Sequence, residues 1–269
     1  MKKLLSIAII SLTLFACKPN AITGRSQLSL VSESEVQAMS LTEYQQFLST
    51  NKVLSPVTNK NADMVKRCGN RLINAITLYY NQNNLSSELS NYKWEINLVD
   101  DKNVNAWCMP GGKIVVYTGL LPVTQNETAL AIVMGHEIAH ALAKHGSERM
   151  SQGLLQQLGG VALSAAVQNK PKETQNLFNT AYGIGSNVGV MLPFSRKNES
   201  EADKFGLMFA ALAGYDPREA IPFWQRMSQL SGGQKPPAFL STHPSDEKRI
   251  ADLQSIMDET LRKYYKPLQ

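Results

Sequence analysis

Three residues within little more than one helical turn carry the most chemistry in this 269-residue chain: His136, Glu137 and His140. A spacing of four puts both imidazoles on one helical face, where they can share a metal ion. Glu137 follows the first His directly and can reach a water in the coordination position that the protein leaves open. His-Glu-x-x-His at this spacing is the pattern of zinc-assisted peptide hydrolysis. The flanking residues, Ala129, Ile132, Val133 and Ile138, are apolar, and two imidazoles and a carboxylate among them cost free energy unless paired. The expected cofactor is one zinc ion per chain.

A catalytic zinc takes three protein ligands and keeps a fourth position for water. His145, five residues past His140, lies well round the helix and reads as a surface or helix-end residue favourable to the C-terminal dipole. Glu199-Ser200-Glu201-Ala202-Asp203 is the better source of a third ligand. Glu199 and Asp203 are one turn apart, so Glu199 can bind the metal while Asp203 accepts the other ring N–H of a ligand His and fixes its tautomer. Glu201 points elsewhere, yet spacing alone leaves it open as a rival ligand.

These residues need elements to hold them. Ser32 to Glu35 offers a capping box for a helix reaching about residue 48, and apolar spacing from Ala62 to Tyr79 marks a second helix. Trp94, Ile96 and Leu98 alternate with polar residues, as a half-buried strand does. A second extended stretch covers residues 104–109, a turn falls at Pro110-Gly111-Gly112, and residues 113–118 read as a further strand. Thr124 to Glu127 suggests a capping box for a helix that carries His136 and His140 on to about His145. Further helices are expected over residues 197–213, from Asp216-Pro217 to Ser231, and over residues 246–264. Strands followed by helices imply an α+β domain, mostly helical, over residues 32–269. The Gly- and Ala-rich stretch 150–192 lies between the metal-binding segments and is read in part as a mobile lid. Gln152, Gln156, Gln157, Gln168 and Asn169 count against a membrane-inserted segment there.

Composition narrows the partners. The net charge of +5 is scattered, with no basic block or aromatic-basic stripe, so nucleic-acid binding has no support. Lys2 and Lys3 precede an apolar run from Leu4 to Ala16, too short to span a bilayer but suited to a signal-peptide core over residues 1–16. The ending Leu14-Phe15-Ala16-Cys17 resembles a bacterial lipobox, which would make Cys17 the lipidated first residue and residues 17–31 a tether. Lys18, by resemblance to Gram-negative lipoproteins, points to the outer membrane and a periplasmic address. Cys68 and Cys108 could form a disulfide in an oxidising compartment or stay buried as thiols.

The chain resembles the HtpX and BepA type of zinc endopeptidase, gluzincins that include the CaaX prenyl protease and mitochondrial OMA-type peptidases. The matching segments are Asn105 to Gly112, His136 to His140, Ser195-Arg196 with Glu199 to Asp203, and Thr242-His243-Pro244 with Arg249-Ile250. The resemblance implies a zincin-like fold with a small sheet and an active-site helix. It selects Glu199 over Glu201 as the third ligand. It places His243 near the metal, as an oxyanion donor or an occupant of the open position, and gives Arg249 an orienting or oxyanion-binding role. Asn105, Ala106 and Trp107 would belong to an edge strand that pairs with an extended substrate backbone. Polypeptides of the cell envelope are the expected substrates, in quality control or processing. The alternative is a chaperone or assembly factor, working with envelope assembly machinery, whose proteolysis is secondary.

Overall fold

The computed structural model describes residues 17–158, 171–182, 194–231, 237–243 and 247–267. The expected signal peptide, residues 159–170 and 183–193 of the proposed lid, and Pro244 lie outside the described residues.

A small hairpin opens the described chain, β1 (Cys17–Pro19) against β2 (Ser26–Leu28). Helix α1 (Glu33–Thr50) begins with the expected capping box: Ser32 Oγ accepts from Glu35 N, and the Glu35 carboxylate accepts from Ser32 N. Strand β3 (Val53–Leu54) follows, between the two helices read from the sequence. Only two residues long, it carries no alternation to detect. Helix α2 (Lys60–Gln82) turns Val65, Cys68, Leu72 and Ile76 inward. Strands β4 (Glu95–Val99), β5 (Ala106–Met109) and β6 (Lys113–Tyr117) complete a sheet of order β3-β4-β6-β5. Strands β4 and β6 run parallel, whereas β5 returns antiparallel beside β6 and forms an edge.

After short α3 (Leu121–Thr124), α4 (Glu127–Leu142) is buried over nearly its whole length. Its N-cap is Asn126, whose side chain accepts from Ala129 N, while Thr124 ends the preceding helix. The expected box on Thr124 is thus displaced by two residues, because Gln125 turns left-handed at φ 65° and starts the chain afresh. The helix also ends before His145. Lys144 takes φ 56°, and a new helix, α5 (His145–Leu158), begins at the next residue. Then come α6 (Pro171–Tyr182), α7 (Arg196–Leu212), α8 (Ala220–Ser231), α9 (Ala238–Thr242) and α10 (Glu247–Tyr264).

The sheet has helices on both faces. Tyr44 and Phe47 of α1 pack against Val99, Val115 and Tyr117, while Leu98, Ile114 and Val116 face α2 and α4 in the main core. Helices α4 and α7 lie in direct backbone contact at Gly135 and Gly206. A Cβ built on Gly206 would sit 2.6 Å from His136 N, a distance no side chain tolerates. This crossing brings the His-bearing and acid-bearing helices together. Among the described residues, no helix is long and apolar enough to cross a membrane.

Candidate metal centre

Helix α4 presents His136, Glu137 and His140, and α7 presents Glu199 and Asp203 from across the glycine contact. His243 follows α9, and Arg249 lies in the first turns of α10. Buried donors of His136, His140, Glu199 and His243 all lie within 4.8 Å of one another. His140 Nε2 is 3.0 Å from His136 Nε2 and 3.2 Å from Glu199 Oε1. His243 Nδ1 is 3.0 Å from Glu199 Oε1 and 3.2 Å from His136 Nε2.

The hydrogen bonds around this convergence fix which ring nitrogens point into it. His136 Nδ1 is 2.9 Å from Asp203 Oδ1, so that nitrogen carries the proton. His145 Nε2 is 2.9 Å from Glu201 Oε2 and donates to it, which leaves His145 Nδ1 to accept from His140 Nδ1 at 3.0 Å. With both Nδ1 atoms protonated, the Nε2 atoms of His136 and His140 are left facing the centre of the cluster beside a Glu199 oxygen, where a proton on His136 Nε2, or a metal ion in its place, lies between them. Ligands about 2.0–2.1 Å from a tetrahedral ion stand about 3.3–3.4 Å apart, close to the separations observed. The donor set therefore fits a small divalent metal ion.

The surroundings set the charge. Burial opposes ionisation of Glu199, but His243, Arg249 and the hydrogen bonds of His136 and His140 outweigh it and hold the carboxyl well below the usual range. Burial likewise opposes the charged form of His136, yet Asp203 and Glu199 hold it up at about 9. Burial dominates at His140 and pushes it well below an ordinary imidazole. Arg249 donates to Asp203 at 2.6 Å, pairs with Glu199 at 2.9 Å and lies 3.4 Å over the Trp224 ring. That geometry orients the two carboxylates.

Glu137 is buried beside the donors, and its Oε1 accepts no hydrogen bond, although His243 Nε2 stands 3.4 Å away. Burial raises its carboxyl above the usual range. A cleft opens in front of it, lined by Asn105 to Pro110 of the β5 edge, His140, Arg149, Phe194 and His243. Its free volume is about 40 Å³, room for a few waters but not for a peptide. The Phe194 ring fills part of it, 4.1 Å from His140 and beneath Arg149 at 3.7 Å.

Several expected residues sit differently from their reading in the chain. The Trp107 ring packs on the far face of the sheet with Tyr44 and Phe47, so at the cleft residue 107 offers chiefly backbone. Glu201 is no ligand candidate, because His145 and Arg25 hold it. His145 is not a surface residue. It is 0% exposed, since the left-handed turn at Lys144 folds it back under His140. No local pattern announces a positive φ at a lysine, so this was invisible in the chain. Arg149 and Phe194, which line the cleft, belong to no motif in the sequence. Cys68 and Cys108 are free buried thiols, and burial pushes Cys68 up to about 12.

Comparison with known proteins agrees with this geometry. Residues 61–257 match the model of Peptidase family M48. The chain is 34% identical over 250 residues to the mitochondrial metalloendopeptidase OMA1 of Homo sapiens, covering 90% of this chain and 46% of that protein. It is 40% identical over 181 residues to its counterpart in Arabidopsis thaliana, covering 66% and 35%. Against the beta-barrel assembly-enhancing protease of Escherichia coli it is 30% identical over 160 residues, covering 58% and 32%. The chain spans about half or less of the length of these relatives. With the family match running from α2 into α10 and enclosing every donor of the cluster, the chain belongs to peptidase family M48.

Proposed function

We propose that the chain is a zinc metalloendopeptidase, with His136, His140 and Glu199 holding the ion. The observation that carries this reading is the convergence of buried donors around one point, with Glu137, whose Oε1 accepts no hydrogen bond, beside them at a cleft under an edge strand. When bound, zinc polarises the scissile carbonyl and lowers the pKa of a water toward neutrality. Glu137 takes a proton from that water as it attacks the carbonyl carbon, and returns a proton to the leaving amine as the C–N bond breaks. Asp203 fixes His136 through Nδ1, and Arg249 steadies Asp203 and Glu199. The backbone of Asn105, Ala106 and Trp107 offers an extended substrate an edge to pair with. In the arrangement described here, His243 occupies the fourth corner of the donor set. It has to withdraw before a water or carbonyl can enter, and from there its ring can donate to the oxyanion.

Lys2, Lys3, the Leu4–Ala16 run and Cys17 support an anchored lipoprotein, on the periplasmic face of the outer membrane. Envelope polypeptides are then the substrates. The name of the Escherichia coli relative and the narrow cleft favour a second reading, assembly assistance with proteolysis held back.

The test is cleavage of an unfolded protein such as casein by the parent and by Glu137→Gln, both with measured zinc content. One zinc in each, and activity about 10²–10⁴-fold lower in the variant, is expected. Equal cleavage by both would refute the role of Glu137. An envelope defect rescued by Glu137→Gln would favour the assembly reading.

A further inference from the structure

His136 and His140 are held in different ways. His136 meets a carboxylate directly, Asp203 at 2.9 Å. His140 meets a second imidazole, His145 at 3.0 Å, and only through it a carboxylate, Glu201. Glu201 is gripped in turn by Arg25, through Nε at 2.7 Å and Nη2 at 3.0 Å. The same guanidinium binds Glu148 with two hydrogen bonds of 2.6 and 2.7 Å, and Glu148 also accepts from Asn198, next to Glu199. Arg25 belongs to the turn of the β1–β2 hairpin, at the N-terminal end of the described chain. That hairpin is docked where α4 stops: Gln27 donates to Ala143 O at 2.7 Å and Asn20 to Leu142 O at 3.3 Å.

We infer that His145 is a positioning residue for the metal ligand His140, and that Arg25 of the N-terminal hairpin, itself anchored on Glu148, holds the Glu201 carboxylate that fixes His145. The inference rests on the reading of the cluster as a zinc site. The direction of each hydrogen bond follows from the chain of partners. Ionised Glu201 can only accept, so His145 Nε2 donates to it. His145 Nδ1 must then accept, which requires the proton of His140 on Nδ1 and frees its Nε2 for the metal. The relay thus fixes the tautomer as well as the tilt of His140, as Asp203 does for His136. The hairpin, which lies in the segment expected from the sequence to be a tether, becomes part of the support of the metal centre.

The experiment measures zinc release from the full-length chain to a chromogenic chelator, with the melting temperature of the zinc-free protein recorded beside it. His145→Leu keeps bulk but neither accepts nor donates, and is expected to release zinc about 10–100-fold faster than the parent. His145→Gln offers an amide oxygen to His140 and an N–H to Glu201, and restores most of the parent rate. Arg25→Met, two contacts further out, speeds release less than His145→Leu, and reads the same linkage if His145→Leu does not fold. Zinc release at the parent rate in His145→Leu and Arg25→Met would overturn the inference. So would equal effects of Leu and Gln that track only the loss of zinc-free melting temperature, since His145 would then be a packing residue. A folded parent that binds no zinc would refute the metallopeptidase reading itself, an outcome distinct from either of these.

Discussion

The Gly135–Gly206 crossing makes the placement of the ligands depend on the absence of a single carbon. In Gly206→Ala the new Cβ would meet His136 N at 2.6 Å, His136 Cα at 2.7 Å and Gly135 C at 2.9 Å, all backbone atoms that no rotamer change can move. Restoring ordinary contact at about 3.4 Å requires α4 and α7 to part locally by about 0.8 Å. Such overpacking costs about 1–3 kcal/mol, and the helix propensity gained over glycine, about 1 kcal/mol, offsets only part of it. At about 2–4 °C per kcal/mol, a net loss of a few degrees in Tm is expected. The larger effect falls on the metal, because Glu199 and Asp203 ride on α7 while His136 and His140 ride on α4. A shift of this size separates His140 Nε2 from Glu199 Oε1, which stand 3.2 Å apart across the two helices, and at least tenfold weaker zinc binding is expected. Thermal unfolding and chelator competition measure both. Gly153→Ala is the comparison, since its Cβ would meet only the flexible end of Leu177 at 3.1 Å. Refutation would be Gly206→Ala matching Gly153→Ala in both zinc affinity and Tm.

Two other perturbations bear on separate parts of the structure. His243→Ala frees the fourth corner of the donor set, so casein cleavage is expected to rise several-fold at unchanged zinc content, read as kcat/KM. A fall in kcat with zinc retained would instead make oxyanion binding the dominant role of His243. At the start of α4, burial opposes ionisation of Glu127, but Arg67 and the Tyr215 hydroxyl outweigh it and hold the carboxyl below its unfolded value. A lowered folded value gives stability that is full above the ordinary carboxylate range and is lost as pH falls through the folded value. Glu127→Gln should therefore flatten the acid limb of the stability curve, measured by urea unfolding at stepped pH, and an unchanged slope would count against that pairing.

Much of the site was legible because its parts are local. His136, Glu137 and His140 sit on one helix, Glu199 and Asp203 on another, and a spacing of four declares a shared face in each case. The alternation around Ile96 and the turn at Pro110 to Gly112 likewise announced β4 to β6. The support of His140 was illegible for the opposite reason. It joins Arg25, His145, Glu148 and Glu201 from three separate elements, and depends on a left-handed lysine at position 144. Period and spacing describe neighbours along a helix, not contacts across more than a hundred residues. Spacing alone therefore leaves Glu201 as a rival to Glu199, whereas in the structure it supports the opposite side of His140 through His145.

The most direct test of the metal centre is anomalous diffraction at the zinc edge from crystals of the purified chain. The expected result is one peak per chain, about 2.0–2.2 Å from His136 Nε2, His140 Nε2 and a Glu199 oxygen. A peak ligated by Glu201, Cys68 or Cys108, or a folded chain with no peak among the four converging donors, would contradict it.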